Sequence, residues 1–254
     1  MVNKLNNWNY LKEGFLNLIY PYSCEICGKK IRESKGYAIC DNCFKKIKLI
    51  SFPFCYQCGK PLSPMVSFEE KALCTSCSVK KKHLYFNRSI AYYQDVMRKC
   101  IHLLKYKKQV KLIQPLGKLI VDFLEYSNPY NLKEIDLIIP IPLFKDDFEK
   151  RGFNQSALLA KYVAGYFSIK YCENWLIKDK RNASQVGLSK NERKNNVKGV
   201  YTVDASWSCC KKDIYNVLLI DDIFTTGATI EACCKELKRA GVKNVFALTL
   251  ARGN

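Results

Sequence analysis

Apolar and polar positions along the chain alternate in two rhythms, and the change between them outlines a fold. From Asp95 to Tyr106, apolar residues recur at Val96, Met97, Ile101, Leu103 and Leu104, one face of a helix. Pro115 opens a second helix, with Leu116, Leu119, Ile120, Phe123 and Leu124 on its buried face. A third, apolar helix starts at Gly152-Phe153-Asn154-Gln155-Ser156, and a fourth is predicted over Ala228 to Ala240. Between them lie short apolar runs without helical spacing: Arg88 to Tyr93, Asp136 to Ile139, Val217 to Ile220 and Val245 to Leu250. These read as strands. Strands alternating with helices predict an α/β domain, a mostly parallel sheet flanked by helices. Ahead of it, Leu11, Phe15, Leu18 and Ile19 fit one face of a short helix. The expected division is an N-terminal helix over 1–20, a cysteine-rich module over 21–82 and the α/β domain over 83–254.

Composition narrows the class. Of 254 residues, 48% are apolar, enough for a core, yet no run reaches the ~18 apolar residues that span a bilayer. Met1 to Tyr20 shows neither a compact apolar block nor a cleavage site, so a cytoplasmic protein without membrane insertion is expected. The net charge is +19, from 42 basic and 23 acidic residues, and every third of the chain is basic. Such a field attracts polyanions, whether nucleic acid or a pyrophosphate-bearing small molecule.

Eight of the 14 cysteines form four Cys-x-x-Cys pairs: Cys24/Cys27, Cys40/Cys43, Cys55/Cys58 and Cys74/Cys77. Two thiolates on one tight turn can reach the same ion, and gaps of 12 and 15 residues suit two tetrahedral zinc sites. Sequential pairing is the simplest arrangement, and an interleaved one also fits the spacing. Four cysteines per ion leave no open position, so both sites read as structural. Residues 21–80 bury little core without the metal. Basic residues (Lys29, Lys30, Arg32, Lys35, Lys45, Lys46, Lys48) interleave there with Tyr22, Phe44, Phe52, Phe54 and Tyr56. That mixture suits single-stranded nucleic acid, by backbone attraction and base stacking; a solvated surface over a small aromatic core fits it equally. Cys100, Cys172, Cys209, Cys210, Cys233 and Cys234 lack ligand spacing.

The chemistry concentrates in Val217 to Glu231. A buried strand ends in Asp221 and Asp222, and Thr225-Thr226-Gly227-Ala228-Thr229 leads into a helix. Ligands of open α/β sheets bind at carboxyl strand ends, and helix N-termini favour phosphate. Two carboxylates there can accept hydrogen bonds from two sugar hydroxyls, and the loop hydroxyls and N–H groups can hold a phosphate. Another strand ends in Pro140-Ile141-Pro142, a rigid extended turn. Arg151, Asn154 and Gln155 follow as donors. Lys105-Tyr106-Lys107-Lys108 is either a phosphate-contact patch or a solvated helix end.

The Val217–Glu231 stretch resembles the signature of the type I phosphoribosyltransferases position by position. The resemblance implies that Asp221 and Asp222 hold the ribose hydroxyls of phosphoribosyl pyrophosphate (PRPP) and that Thr225 to Thr229 bind its 5-phosphate. Pro140-Ile-Pro142 with Arg151-Gly-Phe-Asn-Gln155 further resembles the ComF family of competence-associated, phosphoribosyltransferase-like proteins. So do the Cys-x-x-Cys module, Leu104-Lys105-Tyr106, and Arg181-Asn-Ala-Ser-Gln185-Val-Gly-Leu-Ser189 through Arg193. The family implies a type I phosphoribosyltransferase-like fold behind a double zinc-ribbon-like module. It places the pyrophosphate loop at Pro140, Ile141 and Pro142, and a hood over the site at Gln185 to Arg193. Mg²⁺ would accompany PRPP, and Arg151 would neutralise a leaving pyrophosphate. The family also implies handling of single-stranded DNA in natural transformation, beside helicase or translocase partners. A transferase of the amidophosphoribosyltransferase kind is the rival reading, although the sequence offers only the donor half of that reaction and no acceptor site.

Overall fold

The computed structural model describes residues 23–31, 38–63, 71–80, 82–127, 129–179, 200–204, 206 and 214–253. The expected N-terminal helix, the hood residues Gln185 and Arg193, and Cys209 and Cys210 lie outside the described residues.

Four strands, β1 (Phe86–Tyr92), β2 (Leu137–Pro140), β5 (Asn216–Phe224) and β6 (Asn244–Arg252), form one sheet in the order β1-β6-β5-β2. Every pairing in it is parallel. Its inner strands are buried on both faces, which is why they read as unbroken apolar runs. The last strand sits inside the sheet, between β1 and β5.

Side chains alternate between the faces and build two cores. Leu218, Ile220, Leu248 and Leu250 face helices α3 (Asp95–Lys107), α4 (Ile113–Ser127) and α6 (Gln155–Phe167) through Leu104, Leu116, Ile120 and Leu159. Val217, Leu219, Val245 and Ala247 face α7 (Ala228–Arg239) through Ile230, Cys233, Cys234 and Leu237. Gly117 on α4 lets Tyr162 of α6 pack close, since a Cβ there would fall 2.6 Å from the ring. A small antiparallel pair, β3 (Leu176–Lys178) with β4 (Tyr201–Val203), extends the second core with Trp175 and Tyr201.

The cysteine-rich residues contain two short helices, α1 (Asp41–Phe44) and α2 (Thr75–Val79), and join this body along the edge of β1. Ile50 N–H donates to Ile90 O at 2.8 Å, Tyr92 N–H to Lys48 O at 3.0 Å, and Asn87 N–H to Gln57 O at 2.8 Å. An exposed edge strand is a template for unwanted pairing, and here it is covered. Gly59 makes the approach possible, because it has φ +68° and a Cβ would lie 2.8 Å from Asn87 O. Cys24 and Cys43 belong to the first core, and Cys55, Cys58, Cys74 and Cys77 to the second. Arg88, buried beneath the contact, donates to Tyr56 O at 2.8 Å and lies 4.5 Å from the Phe54 ring centroid. Among the described residues no helix is long and apolar enough to cross a membrane.

Candidate functional site and metal centres

The eight cysteines gather in chain order. Cys24, Cys27, Cys40 and Cys43 form one group, and Cys55, Cys58, Cys74 and Cys77 the other, each with all Sγ atoms within 4.8 Å of one another. The Sγ separations include 3.7 Å for Cys27–Cys40 and 3.8 Å for Cys58–Cys74. A tetrahedron of Zn–S bonds of about 2.3 Å needs ligand separations of about 3.8 Å, so the residues fit zinc. Backbone N–H groups already point at the sulfurs, Cys40 N to Cys24 Sγ and Cys74 N to Cys55 Sγ, both at 3.3 Å. Such donors stabilise thiolates. These closed four-cysteine sets suggest two structural zinc ions. The second group is fully buried, whereas in the first Cys27 is exposed and Cys40 half-buried. A cleft of about 450 Å³ beside the first group is lined by Lys29, Lys45, Lys46 and Asn42.

The acid pair lies at the opposite end of the chain's reading, where β5 emerges from the sheet. Asp222 is 3% exposed and receives two donors on Oδ2, Lys105 Nζ at 2.6 Å and Gln155 Nε2 at 2.9 Å. Asp221 Oδ1 accepts Ser156 Oγ and the Asp222 N–H, each at 2.9 Å. These donors arrive from the end of α3 and the first turn of α6. Asn154 caps α6, accepting the N–H groups of Ser156 and Ala157, and its Nδ2 donates to Ile141 O at 3.0 Å. One asparagine therefore fixes both the helix start and the Pro140-Ile141-Pro142 turn, whose Ile141 N–H reaches Ile220 O at 3.0 Å.

Electrostatics at the pair is strained. Burial pushes the Asp221 carboxyl up to about 7, and neighbouring Asp222 adds to this against the pull of Lys105. Burial alone would lower the Lys105 ammonium, but Asp222 outweighs it and the net shift is upward. Two more cations flank the acids. Arg151, ending α5 (Lys145–Arg151), donates to Gln155 Oε1 at 3.0 Å and lies 5.8 Å from the Tyr106 ring centroid. Lys178 of β3 is pulled down by burial, with Asp147 and Asp221 opposing.

Beyond Asp222 the chain turns through Thr225 and Thr226, both exposed, into α7. Gly227 adopts φ +77° above the Phe224 ring, where a Cβ would come within 2.4 Å of Cζ. Thr226 Oγ1 accepts the Ala228 N–H at 3.3 Å.

Thus the structure brings together Asp221, Asp222 and Arg151, and sets the Pro140–Pro142 and Thr225–Thr229 turns at neighbouring strand ends. Sequence alone did not point to Lys178, and it named Lys105 and Ser156 without assigning either to the acids. Lys105 was one of a run of lysines at a helix end, and spacing could not tell which one turns inward. Ser156 carried a signal, since it opens the helix that Asn154 caps.

Residues 15–78 match the family model described as a double zinc ribbon domain. The chain is 27% identical over 234 residues to the "Competence protein F" of Haemophilus influenzae, covering 92% of this chain and 98% of that protein. It is 28% identical over 225 residues to "Competence protein ComFC" of Bacillus subtilis, covering 84% of each. It is also 25% identical over 236 residues to "DNA utilization protein YhgH" of Salmonella typhimurium, covering 92% of this chain and 99% of that protein. Over most of its length the chain is similar to these competence and DNA-utilization proteins, and its N-terminal part matches a double zinc ribbon.

Proposed function

We propose that the protein serves a ComF-type competence role, handling single-stranded DNA in the cytoplasm during natural transformation, and that its phosphoribosyltransferase-like domain holds a ribose phosphate of the PRPP kind at the end of β5. The observation that carries the pocket is the acid pair, Asp222 buried and Asp221 half-buried, with Lys105 paired to Asp222, Arg151 bonded to the Gln155 that also holds Asp222, and the Thr-Gly turn close behind. A ribose diol would donate to Asp221 and Asp222, the 5-phosphate would take the N–H and hydroxyl groups of residues 225–229, and the cations would face the pyrophosphate. Mg²⁺ accompanying that pyrophosphate would supply charge neutralisation. Relatives named for competence and DNA utilization support the DNA role, as do the charge of +19 and the lysine-lined cleft beside the first ribbon. Protein partners that move DNA are part of the same reading.

Titration of PRPP–Mg²⁺ and of a short oligonucleotide into wild type and an Asp221→Asn/Asp222→Asn variant tests it. Wild type should bind both, with oligonucleotide affinity falling steeply as salt rises. The variant should lose PRPP and keep the oligonucleotide. A second reading, a transferase acting on an unknown acceptor, draws on Arg151 and Lys178 as cations that would neutralise a departing pyrophosphate. Absence of oligonucleotide binding at low salt, together with pyrophosphate release from PRPP when an amine or nucleobase is supplied, would establish that reading instead.

A further inference from the structure

Arg252 ends β6 where three parts of the molecule meet. Its Nη1 donates to the Cys58 carbonyl at 2.6 Å, and Nη2 lies 3.8 Å from the Cys58 Sγ, one of the four sulfurs of the second group. Its guanidinium lies over Phe224, 4.7 Å from the ring centroid, and the two residues are cross-strand partners. Phe224 is 3% exposed and supports the turn that follows, since Gly227 rests on its ring. The next residue adds a second tie: Gly253 N–H donates to Phe224 O at 2.9 Å, and a Cβ on Gly253 would stand 3.3 Å from Thr225 Cγ2.

We infer that Arg252 is a positioning residue through which the second four-cysteine group holds the Phe224–Thr229 turn in its ligand-receiving shape. Four thiolates around one divalent ion leave a net negative charge, which a guanidinium meets at Cys58. The same flat group stacks on an aromatic face while its N–H groups stay engaged, which an ammonium cannot do. The ring it stacks on is the surface beneath Gly227, so a change at Cys58 reaches the turn through two contacts. That the turn receives a phosphate rests on the function proposed above; that Arg252 fixes its shape does not.

The test compares wild type, Arg252→Ala and Arg252→Lys, each with its metal content measured. Hydrogen exchange is read on peptides spanning residues 222–231, and ribose 5-phosphate is titrated by calorimetry. Arg252→Ala should keep two zinc ions and the exchange protection of Val217 to Ile220. Exchange over residues 225–229 should quicken at least tenfold, and ribose 5-phosphate should weaken by about tenfold. Arg252→Lys should recover part of the protection, through the Cys58 carbonyl, without restoring the stack. Unchanged exchange at 225–229 overturns the inference, as does equal loss of protection throughout the sheet. If wild type does not bind ribose 5-phosphate, the proposed function fails, and the exchange result still decides the role of Arg252.

Discussion

Replacing Asp221 by Asn should stabilise the protein, and by more at high pH than at low. Folding holds the Asp221 carboxyl at about 7 against an ordinary 3.8, chiefly through burial and then through Asp222. A carboxyl raised on folding binds its proton more tightly in the native state, so the native state loses ground as pH climbs from the unfolded value through the folded one. Above about pH 7 the penalty is complete. A carboxyl held at about 7 instead of 3.8 destabilises the native state by about 4 kcal/mol at pH 8, and by about 1.5 kcal/mol at pH 5. Asparagine removes the titration while its amide oxygen can still accept from Ser156 Oγ and the Asp222 N–H, and Lys105 keeps Asp222 as its partner.

Urea unfolding of wild type and Asp221→Asn, compared with each other at about pH 5 and pH 8, reads the difference. Cysteine protonation and metal affinity change with pH equally in both proteins and drop out of the comparison. The variant's midpoint should rise at both pH values with an unchanged slope, and its advantage should grow by about 2–3 kcal/mol from pH 5 to pH 8. A variant that is less stable at pH 8, or one whose advantage does not depend on pH, would refute the account of a carboxylate held charged against its surroundings. In the proposed function, the charged carboxylate would be the stronger acceptor for a sugar hydroxyl than the amide.

Three further outcomes follow from particular contacts. Lys105→Met leaves Asp222 buried with Gln155 as its one side-chain partner among the described residues, and should cost about 3 kcal/mol in urea unfolding at neutral pH; a loss below about 0.5 kcal/mol would mean the pair is solvated. Gly227→Ala forces φ +77° on an alanine whose Cβ meets Phe224, so it should lower stability by about 1–3 kcal/mol and weaken ribose 5-phosphate binding; thermal unfolding at the wild-type temperature would contradict this. Chelation should release two zinc ions per chain and raise hydrogen exchange in β1 together with the ribbons, since the ribbons cover its edge; full protection of Phe86–Tyr92 after metal loss would show that the edge needs no cover.

The elements that sequence alone revealed are those whose signal is local. Leu218, Leu248 and their neighbours form buried runs because a parallel strand covered on both faces needs apolar residues throughout. Asp221 and Asp222 stood out because charge directly after such a run has few structural uses. The cysteine spacing announced two ions but left the grouping open, since either arrangement satisfies the same turns; only the fold brings Cys24 to Cys40 and Cys55 to Cys74. For Lys105 the partner was illegible for a different reason. Its neighbours Lys107, Lys108 and Lys111 share its composition, and what distinguishes it is that α3 ends beside Asp222, a contact across more than a hundred residues. β3 and β4 were hidden as well, being three residues each and joined through residues far apart in the chain.

The zinc ribbons and the turn after β5 are tied together through one strand. β6 carries both relationships: its N–H and C=O groups pair β1 on one side and β5 on the other, and its last residue, Arg252, touches a zinc ligand and the aromatic floor of the turn. The ribbons in turn pair with β1 and contribute cysteines to both cores. Contact with DNA alone does not call for this embedding, which also covers the β1 edge. Embedding instead makes the geometry at the end of β5 depend on whether the second group is intact. Any ligand that orders residues 225–229 must then, by reciprocity of binding free energies, also favour the metal-loaded ribbon.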